Sequence, residues 1–375
     1  MKITSVKTFA LEHPLKRGTG PSTYYYHARN TLLVKLETDD GAVGWGETAN
    51  FGGVRALIEQ VYAPALTGRN PLEHRKLWRE LWGPNFGNGL ALGAVDMALD
   101  DLRGKALGVP VADLYGGRLR DRVMAYASAM NYIEGEDPVE QYPREAKTMV
   151  ARGFGALKMR IGGLPMRHDL AAVSAVRDAV GPDIKLMADG NGAYSLATAI
   201  RMGRELERLG LYWFEEPLPQ STPDYSGYET LAATLDIAIA AGEGLTSRGM
   251  FKDFIARRAA DIVQPDVSLA GGIGECLFVA EMAKLYGVLA MPHCWAGGIV
   301  IAATVQLLSL VPDASWARTT EPPMLELDMV ENPFQDDILV EPLQISNGFV
   351  TVPTTPGLGV SIDEAKLKRY MRQVS

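Results

Sequence analysis

Polar and apolar positions alternate through the first 50 residues in short runs broken by turn signals. Ile3 to Leu11, Thr31 to Thr38 and Ala42 to Glu47 read as strands, and Asp39-Asp40-Gly41 is a hairpin turn between the last two. Lys16 to Asn30 carries Gly18, Gly20 and Pro21 ahead of Tyr24-Tyr25-Tyr26-His27 and reads as a long loop. Loops of that length are often lids or binding loops, and its aromatic residues could equally cover a small polar substrate or pack on the body of the protein. From about 53 to 117 the period lengthens to that of helices. Leu92, Val95, Leu99, Leu102 and Ala106 form one such face, ended by Gly104 and Gly108-Val109-Pro110. A meander followed by helices is an α+β unit.

The rhythm changes near Asp121. Val123 to Ala127, Phe154 to Arg160, Ile184 to Ala188, Tyr212 to Phe214, Ile237 to Ala241, Ile262 to Val263 and Val288 to Met291 read as seven strands, with Ser315 to Arg318 a weak eighth. Stretches of helical periodicity separate them, such as Val139, Tyr142, Ala146, Met149 and Leu170, Val173, Val176, Val180. Alternation at this count predicts an α/β protein built on a (β/α)-barrel with a degenerate last repeat. From about 325 the chain reads as irregular and Pro-rich, with two short strands around Ser346-Asn347-Gly348. The expected organisation is residues 1–120 as a capping domain, 121–325 as the barrel, and 326–375 as a segment returning to the cap.

Length supports that division, because 375 residues exceed what one core usually serves. With 47% hydrophobic and 22% charged residues and no low-complexity tract, the chain has a globular composition. No apolar run is long enough to span a bilayer, and Met1 to Val6 lacks the character of a signal peptide, so no membrane partner is expected. A formal charge of −8 without a basic block argues against nucleic acid. Two cysteines, Cys276 and Cys294, cannot build a disulfide framework and fit a reducing cytoplasm; Cys294 reads as a packing residue.

Three acids change the picture. Asp189 ends Leu186-Met187-Ala188-Asp189, Glu215 sits in Trp213-Phe214-Glu215-Glu216-Pro217, and Glu243 follows Ile239-Ala240-Ala241-Gly242. The steps between them are 26 and 28 residues, about one strand, one helix and two loops each. Carboxylates at consecutive ends of parallel strands converge, and an all-oxygen donor set favours Mg²⁺, then Mn²⁺.

Catalysis in barrels belongs at the C-terminal ends of the strands. The polar residues read there also include Lys158, Arg160, Asn191, Glu216, Asp266, His293 and Glu321. Lys158 and Arg160 are two apart on one strand and share a face, so they need anions nearby. Asp266 and His293 end successive strands, and an aligned carboxylate fixes and strengthens an imidazole base. His13, His74 and His168 lack such a setting and read as surface residues. Together the parts describe removal of the proton next to a metal-held carboxylate, giving an enediolate stabilised by the metal and Lys158.

At these residues the chain resembles the enolase superfamily, in its mandelate racemase subgroup. The resemblance is carried by Gly44-Trp45-Gly46-Glu47, Lys158-Met159-Arg160, Asp189-Gly190-Asn191, Phe214-Glu215-Glu216-Pro217, Gly242-Glu243, Gln264-Pro265-Asp266, Pro292-His293, Asn332-Pro333-Phe334 and Pro356-Gly357-Leu358-Gly359. It implies a (β/α)7β modified TIM barrel with an α+β capping domain built from the N-terminal region and the C-terminal tail. It further implies Mg²⁺ on Asp189, Glu215 and Glu243, the Asp266–His293 pair as base, and Glu321 as the acid after the last strand that bonds the substrate carboxylate. One departure stands out: Arg160 replaces a second lysine that many relatives use as the opposite-face base, and guanidinium does not deprotonate. One working base fits β-elimination of water from an aldonic or aldaric acid. Alternatives are a sugar-acid lactone cycloisomerase, or a racemase or epimerase with Lys158 as second base; a non-catalytic binding paralogue is the reading outside enzymes. A hydrolytic metal barrel is disfavoured, since no His-x-His pair follows an early strand. The substrate would be a small hydroxylated anion, with Tyr26, His27 and Tyr132 contacting its hydroxyls beside Arg160 and Asn191. The family analogy also suggests a homo-oligomer, dimer or octamer.

Overall fold

The computed structural model describes residues 1–372 apart from 86, 221–223, 316 and 319. Two sheets organise it. The first has strand order β3-β2-β1-β5, with β1 Ile3–Gly20, β2 Tyr26–Thr38, β3 Val43–Thr48 and β5 Tyr132–Ile133. β1 and β2 run antiparallel from Ile3↔Thr38 out to Thr19↔Tyr26, so the segment expected to be a long loop is mostly a β-ribbon. Its tip is stitched to the barrel side, where Gly20 pairs with Tyr132. The glycines that suggested a loop stand inside the strand instead.

On this sheet lies the helix Gly89–Leu107, which has a buried residue at 14 of its positions. Gly46 lets β3 approach it: a Cβ there would fall 1.8 Å from the Ala94 carbonyl oxygen. The next residue, Glu47, is fully buried and reaches out of the cap. Its carboxylate accepts from Thr31 Oγ1 at 2.8 Å and from the backbone N–H groups of Gly297 (2.8 Å) and Val300 (3.2 Å). It therefore caps the wholly buried helix Gly298–Leu310, whose first N–H groups would otherwise lack partners. Glu47→Ala should destabilise the fold by about 2–3 kcal/mol. A lowered guanidinium midpoint would register this, and an unchanged one would deny the cap its role.

The second sheet alternates with helices. Its parallel strands are β4 Arg122–Ser128, β6 Ala156–Arg160, β7 Lys185–Asp189, β8 Trp213–Glu215, β9 Ala238–Ala241, β10 Ile262–Val263 and β11 Leu289–Ala290, with β12 Met324–Asp328 pairing β4 on its other edge. Seven of these match the strands read from the sequence to within a few residues. The eighth does not. The weak strand at 315–318 includes Trp316, outside the described residues, and the strand beside β4 is Met324–Asp328. Its alternation of Glu326 and Asp328 with Leu325 and Leu327 was masked by burying acids on one face. Inside the barrel, Tyr126, Ala156, Met187, Trp213, Ala240, Ile262, Met291 and Met324 pack into a plug. The tail forms regular structure within its described residues. β13 Ile345–Ser346 and β14 Phe349–Thr351 form a hairpin that pairs with β4, while Arg372 N–H bonds Ala10 in the cap. Among the described residues no helix is long and apolar enough to cross a membrane, and Cys276 and Cys294 are free and buried.

Candidate active site

Two-residue alternation aims one set of side chains from each strand into the barrel mouth. Ladder register then sets Arg160 beside Asp189, and Asp189 beside Glu215. Lys158 has no exposed surface and stands among three acids: it bonds Glu215 Oε1, lies 2.7 Å from Glu326 Oε1, and is 3.6 Å from Asp189 Oδ2. Arg160 bonds Asp189 Oδ2, and its Nε donates to Asn131 Oδ1 at 3.1 Å. Trp213, two residues before Glu215, donates its indole N–H to Glu215 Oε2 at 2.8 Å. Asn191 adopts a left-handed φ of 45° and donates its backbone N–H to Asp189 Oδ1 at 2.8 Å.

The pair expected from spacing alone is formed. His293 Nδ1 lies 2.7 Å from Asp266 Oδ2, leaving Nε2 turned towards Glu243 Oε2 (3.4 Å) and Glu326 Oε2 (3.8 Å). Burial by itself would lower the ring's basicity, but Glu243, Glu326 and Asp266 together push its pKa up to about 10. Glu326 is drawn the other way. Burial opposes its ionisation, yet Lys158, His293 and Arg160 hold it down at about 2. Glu243 is raised by burial and by the neighbouring charge of Glu215.

A cavity of about 650 Å³ opens over this floor, walled by Tyr26, Arg29, Asn131, Arg160, Asn191 and Trp295 among others. Glu216, Glu243, Asp266 and His293 reach it from below. Trp295 has the Arg160 and Arg29 guanidinium carbons 5.0 and 4.9 Å from its ring. Tyr26 contributes a hydroxyl with no hydrogen-bond partner among the described residues.

Three expected residues lie elsewhere. His27 is exposed and faces away from the cavity, because Tyr26 and Ala28 on either side of it in β2 take the inward positions. Tyr132 is buried below, donating to Asp169 Oδ1 (2.7 Å) and accepting from Gly163 N–H (3.0 Å). Glu321 is at the wrong end. It is exposed and bonds Lys185, which begins β7, and Tyr212, which precedes β8. Since the last strand starts at Met324, Glu321 comes before it, and the acid aimed into the mouth is Glu326. His74 is likewise no surface residue. Its Nε2 is 2.6 Å from Asp96 Oδ1 and 3.6 Å from Asp100 Oδ1, a cluster closed by Arg103 and Tyr115.

That cluster is the one group of three His, Cys, Asp or Glu side chains among the described residues with ligand atoms within 4.8 Å of one another. Asp189, Glu215 and Glu243 are set wider, with the first two drawn onto Arg160 and Lys158. Their chemistry nonetheless suits a hard dication: three carboxylates at consecutive strand ends, and none of the three strongly exposed. The mutual repulsion that raises Glu243 is what such an ion relieves.

Comparison with known proteins gives the family. Residues 4–116 match the family model described as mandelate racemase / muconate lactonizing enzyme, N-terminal domain, and 141–366 match that of the enolase C-terminal domain-like family. The chain is 36% identical to a D-galactarolactone cycloisomerase of Agrobacterium fabrum (99% of each chain covered). It is 35% identical to an arabinonate dehydratase of Saccharolobus solfataricus, over 92% of this chain and 91% of that one. A racemase from Streptomyces coelicolor solved with bound magnesium superposes with a TM-score of 0.86 at 29% identity, over 99% of this chain and 100% of that one.

Proposed function

Since the chain belongs to the mandelate racemase / muconate lactonizing enzyme family of the enolase superfamily, and is an enzyme, we propose that it takes a proton from the carbon next to the carboxylate of an acid sugar and expels the β-oxygen. Asp189, Glu215 and Glu243 would hold Mg²⁺, or Mn²⁺, which supplies Lewis-acid stabilisation of the enediolate. His293 Nε2 receives the proton, while Asp266 fixes the ring through Nδ1. Relief of Glu243's charge frees the ring from the acid that most raises its pKa. Lys158, held in place by Glu326, supplies positive charge where negative charge grows on the substrate carboxylate. The Cα–H electron pair forms the enediolate, its collapse breaks Cβ–O, and the departing oxygen takes back the proton that His293 holds. The fold we read as a complete (β/α)7β barrel under a cap of residues 1–120, with a cytoplasmic location.

The observation that carries this reading is the single imidazole base opposite a locked guanidinium. Arg160 is bonded to Asp189 and Asn131, and Lys158 is sealed beneath the acids. Racemisation needs proton exchange from two faces, and neither Arg160 nor Lys158 is placed to serve as its second base. Loss of a β-hydroxyl gives a dehydratase; loss of a ring oxygen gives a lactone cycloisomerase. The likeness to a galactarolactone cycloisomerase over 99% of each chain favours keeping the second alongside the first. Proton NMR in D₂O with aldonates, aldarates and their lactones separates the outcomes. Dehydration turns an acyclic acid into a 2-keto-3-deoxy acid with loss of water, and cycloisomerisation opens a lactone to an isomeric deoxy-keto acid with no water lost, whereas α-deuterium exchange with no new product would overturn β-elimination.

A further inference from the structure

Asp266 carries the His293 ring on one oxygen. Its other oxygen, Oδ1, accepts two hydrogen bonds from one residue: the backbone N–H of Ser268 at 2.7 Å and its hydroxyl at 2.6 Å. Both residues are buried, so these donors are what the inner carboxylate oxygen has in place of water. A carboxylate bonded on one oxygen can still swivel about its last torsion; two donors on the second oxygen stop it.

Ser268 is in turn held by the cap. Its carbonyl accepts from Thr48 Oγ1, at the end of β3, at 3.1 Å. Gly93 of the helix Gly89–Leu107 lies so close that a Cβ there would be 2.7 Å from the carbonyl oxygens of Val267 and Ser268. Further along the same loop, Trp78 Nε1 donates to the Gly271 carbonyl at 2.8 Å. The segment bearing Asp266 thus rests on the cap at several points, although Asp266 belongs to the barrel.

We propose that Ser268 is a positioning residue for the Asp266–His293 base, and that the cap aligns this base through Thr48 and the helix Gly89–Leu107. The proposal rests on the reading of His293 as the base. Ser268→Ala keeps the backbone donor and removes the hydroxyl, whereas Ser268→Thr keeps both. With the acid sugar that the wild type turns over, Ser268→Ala should lower kcat about 10- to 100-fold with KM little changed, as loss of an outer-shell partner does. Ser268→Thr should restore most of it, and Thr48→Val should move kcat in the same direction by less. A second readout needs no turnover: the downfield His293 Nδ1–H resonance of the substrate-free protein should move upfield and exchange faster with solvent in Ser268→Ala, and return in Ser268→Thr. A wild-type kcat or an unmoved resonance in Ser268→Ala overturns the proposal. Failure of the underlying reading shows separately, as turnover retained in His293→Asn.

Discussion

His293→Asn is expected to lower kcat by about 10²- to 10⁴-fold, the range that a positioned general base supplies. Asparagine can still donate an N–H towards Asp266 Oδ2, so the buried aspartate keeps a partner. What disappears is Nε2, the one ring atom that faces the cavity side of the dyad. Loss should fall on kcat and on α-proton exchange together, because both require a group that accepts the proton. Near-ultraviolet circular dichroism and Mg²⁺ affinity by calorimetry should stay close to wild type, since the three proposed ligands are untouched. Activity within a few-fold of wild type would mean that another group takes the proton, with Lys158 the first to examine.

Much of the site was legible because barrels impose a period. The spacing of Asp189, Glu215 and Glu243, and the acid and imidazole at 266 and 293, follow from strands ending one repeat apart. What the sequence hid came from burial and pairing. Glu326 and Asp328 alternate with leucines in a strand whose inner face is charged, so a five-residue stretch looked like irregular tail. Misplacing that strand moved Glu321 from one end of the barrel to the other. The ribbon at 16–30 was hidden by its glycines and proline, and the register Gly20↔Tyr132 shows that its β1 edge is paired with β5. With Tyr26 and Ala28 inward in β2, His27 points out. Ser268 and Trp295 gave no signal at all, because their importance lies in whom they touch.

The correction of Glu321 to Glu326 has a large measurable consequence. Glu326 has no exposed surface, its Oε1 lies 2.7 Å from Lys158, and its Oε2 accepts from Cys294 N–H at 3.3 Å while facing His293. Held ionised by Lys158 and His293, it fixes an ammonium and an imidazole against one another where enediolate charge would develop. Glutamine fills the same space without that charge. Glu326→Gln should therefore cost about 10²- to 10³-fold in kcat, the scale seen when one preorganised electrostatic group is lost. Glu321→Gln loses only an exposed pairing with Lys185 and a bond from Tyr212 at the far end of the barrel. Its kcat should stay within a few-fold of wild type, as surface pairs contribute little. Steady-state kinetics of the two variants side by side decide the matter. If Glu321→Gln is the one that abolishes turnover, the acid of the last strand has been misassigned here, and the barrel mouth must be completed in some other way than through Lys158 and Glu326.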